Sequence, residues 1–122
     1  METVCIMKEI FKAIRSFEDD FYVAHRISLN EAIVLCSLAT EKLSSSGISE
    51  RTGFTPSHTS KLIRTVEDKK LIERLLGKTD KRQMYFSLTT DGMKKLDNIK
   101  CGSVKVPDIL KPVFQKVCPD SR

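Results

Sequence analysis

No two cysteines in this chain form a C-x-x-C pair: Cys5, Cys36, Cys101 and Cys118 are scattered. That scatter argues against a zinc knuckle or dithiol motif and fits reduced, mostly buried thiols. The two histidines, His25 and His58, stand far from any ligand-like cluster, so no metal site and no cofactor is expected. Uninterrupted apolar stretches all fall short of the roughly 18 to 20 residues that span a bilayer. Glu2, Lys8 and Glu9 interrupt the region where a signal peptide would be apolar. A cytoplasmic protein without membrane contact is expected. A glycine-rich phosphate loop, H-E-x-x-H and G-x-S-x-G are all missing, and the serines at 44, 45 and 46 have no nearby histidine in sequence. Catalysis is therefore not expected.

What the chain does have is enough apolar content, 40% of 122 residues, for one core, so residues 1–122 are read as a single domain. Its net charge of +5 is unevenly spread. Residues 51–82 carry nine Lys/Arg against four Asp/Glu, whereas residues 1–31 carry four against six. Positive charge concentrated in this way suits a polyanionic partner, although a lysine-rich solvated face has the same composition.

Val4, Met7, Ile10, Phe11, Ile14, Phe17 and Phe21 recur at steps of three and four and predict an amphipathic first helix over 1–25. Its stripe either covers the domain's own core or meets a second copy. Ser28 and Glu31 have capping-box spacing at the start of a second helix whose mostly buried body includes Ala32, Ile33, Leu35, Cys36 and Leu38. "SSSG" at 44–47 reads as a polar loop. "ISERTG" then supplies about two helical turns before Gly53, where a sharp turn favours glycine. Thr55 is the expected N-cap and Pro56 the first residue of the next helix. At about 100° per residue, Thr59, Leu62, Ile63 and Val66 share one face of that helix, and Ser57, Lys61, Arg64 and Asp68 share the opposite one.

A short helix, a glycine turn and a second helix with a basic outer face make a helix-turn-helix, whose second helix meets base edges with its N-terminal half. Ser57, His58, Ser60, Lys61 and Arg64 are the candidate recognition contacts. "LIERLL" and "MYFSL" read as paired strands, with Met84, Phe86 and Leu88 inward, joined by a charged tip at Gly77 to Arg82. Thr89 or Thr90 caps a further helix. Beyond Gly102, Pro107, Pro112 and Pro119 limit the chain to short helical pieces within 101–122, with Ile109, Leu110, Val113 and Val117 as an apolar stripe.

In order and spacing, "LNEAIVLCSL", "ISERTGFTPSHTSKLIRTVEDKKLIER", "DKR" and "LTTDG" resemble the multiple antibiotic resistance regulator (MarR) family of winged helix-turn-helix proteins. The resemblance implies a mainly α fold with a small β-hairpin wing. Flanking N- and C-terminal helices supply the dimer interface in that family, and residues 26–100 would form the winged helix-turn-helix. It implies wing contacts from Lys78, Asp80, Lys81 and Arg82, with Asp80 holding the Arg82 guanidinium for the minor groove or backbone. Family members commonly carry glycine where this chain has Lys70. Here the recognition helix either ends differently or sets a non-glycine residue in a left-handed conformation at a cost of roughly 1 kcal/mol.

The function expected on these grounds is a sequence-specific bacterial transcription regulator. It would act as a homodimeric repressor on inverted-repeat double-stranded DNA, with half-sites about one helical turn apart. A small-molecule effector is a further expectation within that reading; Cys5 on the first helix is either a redox sensor or, as free cysteines more often are, a small buried hydrophobe. The alternative is a winged-helix protein-interaction module without specific DNA binding, since a fold does not dictate its function.

Overall fold

The computed structural model describes residues 2–77, 83–101 and 104–117. Along the chain run α1 (Glu2–His25), α2 (Leu29–Ser37), β1 (Leu43–Ser44), α3 (Ser45–Thr52), α4 (Pro56–Asp68), β2 (Ile72–Leu76), β3 (Met84–Leu88) and α5 (Thr90–Cys101). A single 3-10 turn (Asp108–Leu110) and α6 (Lys111–Val117) follow. The contacts divide the chain into two compact units, Met1–Ser28 with Ser103–Arg122, and Leu29–Gly102.

In the first unit, α1 is the long helix that the stepped apolar residues predict. Phe21 is its buried residue, and the Phe17, Phe21 and His25 rings follow one another at i, i+4 spacing, with centroids 6.0 and 4.7 Å apart. Much of its apolar stripe stays uncovered: Val4, Met7, Phe11 and Ile14 are all exposed. The helix ends at Arg26, which takes a left-handed φ of 62° while its N–H donates to the Tyr22 carbonyl at 2.8 Å. The prolines restrict the C-terminal stretch to short helical pieces, the 3-10 turn and α6, on which Ile109, Val113 and Phe114 are exposed.

The second unit packs α2, α3, α4 and α5 with a three-stranded sheet in the order β1-β3-β2. Val34, Leu35, Ile48, Leu62, Ile63, Val66, Leu71, Ile72, Phe86 and Leu96 form its core. The expected hairpin is present, with Arg74 opposite Phe86 and Leu76 opposite Met84. It is joined on the far side of β3 by β1, whose Leu43 and Ser44 face Phe86 and Tyr85.

This arrangement corrects three expectations. Residues 44–47 are not a polar loop. Ser44 closes β1 and caps α3, its hydroxyl accepting from the Gly47 amide at 3.1 Å, so the serines serve a helix start. Cys36 is exposed rather than part of the buried body of α2, because the helix turns Val34 and Leu35 inward and Cys36 away. In β3 only Phe86 is buried. Met84, Tyr85, Ser87 and Leu88 are all half-buried, so the inward and outward alternation is weaker than the pattern suggests, and both α3 and α5 touch this strand.

Two close approaches fix the end of α4 and the start of α5. Lys70 adopts φ 62°. Its amide donates to the Glu67 carbonyl at 2.9 Å and the Leu71 amide to the Val66 carbonyl at 3.0 Å, the paired bonds of a Schellman termination. Thr89 caps α5, its hydroxyl accepting from the Gly92 amide at 3.0 Å and donating to the Lys70 carbonyl at 2.7 Å. Gly92 lies so close to this junction that a Cβ there would sit 2.0 Å from the Leu71 oxygen.

Candidate nucleic-acid interface

The site is built around the α3–α4 turn. Gly53 ends α3 with φ 83° and its amide donates to the Ser49 carbonyl at 2.9 Å. The Ser49 hydroxyl donates to the Phe54 carbonyl at 2.6 Å, and the Phe54 amide to the Thr52 hydroxyl at 3.2 Å. Side chains thus satisfy the backbone groups that a tight turn frees. The Thr55 hydroxyl then accepts from the His58 amide at 3.2 Å, with Pro56 in the first turn of α4. These were the start signals read in the sequence, and they act as expected.

Burial sets the rotation of α4. Thr59, Leu62, Ile63 and Val66 are buried, which leaves Ser57, Ser60, Lys61 and Arg64 together on the exposed side. His58, the other recognition candidate, is half-buried. Its ring leans on Phe54 with centroids 4.8 Å apart, so part of the imidazole packs against the turn. Between Pro56 and Val66 the helix carries Lys61 and Arg64 and no acid, and its N-terminal end adds partial positive charge from unpaired amides. Such a surface can accept phosphate oxygens at the helix start and present a guanidinium to base edges.

Acidic residues enter only in the last turn of α4, and Glu67 is engaged there. Arg74 of β2 donates from Nε to one Glu67 oxygen at 2.6 Å and from a terminal nitrogen to the other at 3.0 Å. The Arg74 guanidinium also lies over the Phe86 ring, 5.5 Å from its centroid. The hydrogen bond and charge of Glu67 raise the Arg74 pKa above its ordinary value. On the other flank, both oxygens of the buried Glu31 carboxylate accept from Lys69 Nζ, at 3.1 and 2.9 Å. These pairings tie the C-terminal end of α4 to β2 and to α2. The sequence reading found neither, because partners 7 and 38 residues apart on different elements leave no local pattern.

The β2–β3 ladder continues to Gly77, whose amide donates to the Gln83 carbonyl at 2.9 Å. The four wing candidates, Lys78, Asp80, Lys81 and Arg82, lie outside the described residues. Among the described residues no group of His, Cys, Asp and Glu could hold a metal ion, and no helix is long and apolar enough to cross a membrane.

Comparison with known proteins supplies the frame for this geometry. The family model described as transcriptional regulator SarA/Rot matches residues 17–99. No curated protein matches the chain significantly. The structure is similar to that of a mutant MarR from E. coli complexed with operator DNA, with TM-score 0.72 and 16% identity, covering 98% of this chain and 87% of that one. It is also similar to MepR of S. aureus in a DNA complex, with TM-score 0.62 and 23% identity over 91% of this chain and 86% of that one. BldR from Sulfolobus solfataricus aligns with TM-score 0.70 and 20% identity, covering 98% and 84% of the two chains. The fold is the winged helix of MarR-like regulators, as the resemblance implied.

Proposed function

The chain belongs to the SarA/Rot family of transcriptional regulators, and from that premise we propose that it is a cytoplasmic bacterial repressor that binds an inverted-repeat operator as a homodimer. The observation that carries this reading is the outer face of α4. Ser57, Ser60 and Lys61 stand exposed on the N-terminal half of the second helix of a helix-turn-helix, and Arg64 follows on the same face, with no acid among them. In this proposal Arg64 selects bases, Lys61 supplies salt-sensitive attraction to phosphate, and the serines bond to the backbone. His58 reaches the duplex with the ring edge that Phe54 leaves uncovered. Lys78, Lys81 and Arg82 touch the flanking groove or backbone, with Asp80 orienting Arg82.

Supporting the homodimer is the apolar stripe of α1, since Val4, Met7, Phe11 and Ile14 stand exposed at helical spacing along one side of the helix, a stripe suited to burial against a second copy. Two recognition helices related by a two-fold axis then read half-sites about one turn of DNA apart. A small-molecule effector fits the cleft of about 270 Å³ within the first unit, which Phe17, Asp20, Lys105 and Asp108 help to line.

The test is selection of bound duplexes from a random pool, combined with the mass of the protein in solution. A two-fold symmetric consensus and a mass near twice 13.8 kDa are expected. Recovery of unselected sequence, with binding that disappears at modest salt, would leave the protein-interaction alternative standing.

A further inference from the structure

We propose that Glu67 and Arg74 form a positioning pair: their two-pronged bond sets the β2–β3 hairpin at a fixed angle to α4, so that helix and hairpin meet one duplex together. The inference rests on the DNA-binding reading above. It addresses how two separate contact elements are held in register.

Between Asp68 and Ile72 the chain makes a tight turn, with Lys70 left-handed and its carbonyl held by the Thr89 hydroxyl. Such a joint fixes where the hairpin begins, and buried Ile72 and Phe86 with the β1–β3 pairing anchor its base; what remains is a swing of its outer end relative to the last turn of α4. A bidentate arginine–carboxylate pair is planar and directional, so it resists that swing where a single lysine contact would not. Arg74 sits in the middle of β2, opposite Phe86 and over its ring, so the strand pair and the fork share one rigid base.

Glu67 lies in the last turn of a helix that faces a polyanion, and there a carboxylate opposes both the helix dipole and the phosphates. A free acid at that place works against binding, whereas an acid whose two oxygens are both engaged by Arg74 serves geometry. The same engagement occupies Arg74, so its guanidinium is not offered to phosphate as the Lys61 and Arg64 side chains are.

This leads to an outcome opposite in sign to simple electrostatics. Glu67→Gln removes a negative charge from the DNA side of the molecule, and charge alone then gives tighter binding. Positioning gives weaker binding, by about tenfold. It also gives a shallower dependence of log affinity on log salt, by roughly one to two units as the displaced hairpin gives up phosphate contacts. Arg74→Lys, which keeps the charge and loses the fork, should match it. The swap of Glu67→Arg with Arg74→Glu should recover a large part of the affinity. Because the pair is surface-exposed, melting temperatures should move by no more than about 3 °C.

The experiment is a fluorescence-anisotropy salt series on a duplex selected from a random pool by the unsubstituted full chain, with hydroxyl-radical footprints of each variant. Loss of flanking protection with the central half-site footprint retained, in Glu67→Gln and Arg74→Lys but not in the swap, supports the positioning pair. Binding by Glu67→Gln that equals or exceeds the parent at an unchanged salt slope overturns it while leaving the DNA-binding reading intact. Failure of the unsubstituted chain to prefer any selected duplex overturns both.

Discussion

Replacing Lys70 by glycine should stabilise the protein. Lys70 holds φ 62° at the end of α4, a conformation that costs a residue bearing a Cβ roughly 1–2 kcal/mol. Glycine removes that strain but brings greater freedom to the unfolded chain, worth roughly 0.5–1 kcal/mol in the other direction. A net gain of about 0.5–1 kcal/mol remains, which corresponds to about 2–4 °C in melting temperature for a chain of this length. The bonds at this position are made by backbone: the amide to the Glu67 carbonyl and the carbonyl to the Thr89 hydroxyl, and glycine keeps both. Urea denaturation followed by circular dichroism gives the measurement, with the midpoint rising and the slope unchanged. Lys70→Ala is the control, because it removes the charge and retains the Cβ. If alanine stabilises as much as glycine, lost charge repulsion explains the gain and the backbone argument is wrong.

Gly92→Ala should cost about 3 kcal/mol or more, since the added carbon would meet the Leu71 oxygen at 2.0 Å and force α5 away from the sheet. A shift of under half a kcal/mol in the same urea assay would show that the helix start yields easily. Thr59→Val should be neutral or stabilising by up to about 1 kcal/mol, because the buried Thr59 hydroxyl has no hydrogen-bond partner among the described residues. A clear loss of stability would mean that an ordered water bonds that oxygen. Arg64→Ala should weaken binding to the selected duplex by about 1–3 kcal/mol and relax preference at one base position. A uniform loss across sequences would move Arg64 to the phosphate contacts. Phe11→Glu on the exposed stripe of α1 should halve the solution mass in sedimentation equilibrium, and an unchanged mass would place any dimer contact elsewhere.

The sequence reading succeeded where information is local or periodic. The stepped apolar residues marked α1, and the buried quartet of α4 fixed its outer face. Gly53, Thr55 and Pro56 each have a conformational preference that fits one position in a helix-turn-helix. The departure at Lys70 was visible as well, and the structure selects the left-handed alternative. Contacts between distant segments were hidden. A strand of two residues, Leu43–Ser44, is too short to show alternation, and a serine run looks the same whether it fills a loop or starts a helix. Cys36 was misplaced because α2 is apolar nearly all round, so composition alone could not orient it. Glu31 was read as the capping-box partner of Ser28, and nothing nearby in sequence pointed to Lys69.

Thr89 joins three parts of the chain through one oxygen: its proton goes to the Lys70 carbonyl after α4, its lone pair takes the Gly92 amide of α5, and it directly follows β3. Few side chains can replace it. Serine keeps both the giving and the taking role, valine keeps neither, and aspartate keeps only the second. The position is therefore open to a narrower set of substitutions than its half-exposed location suggests, and that restriction can be read from the direction of two bonds.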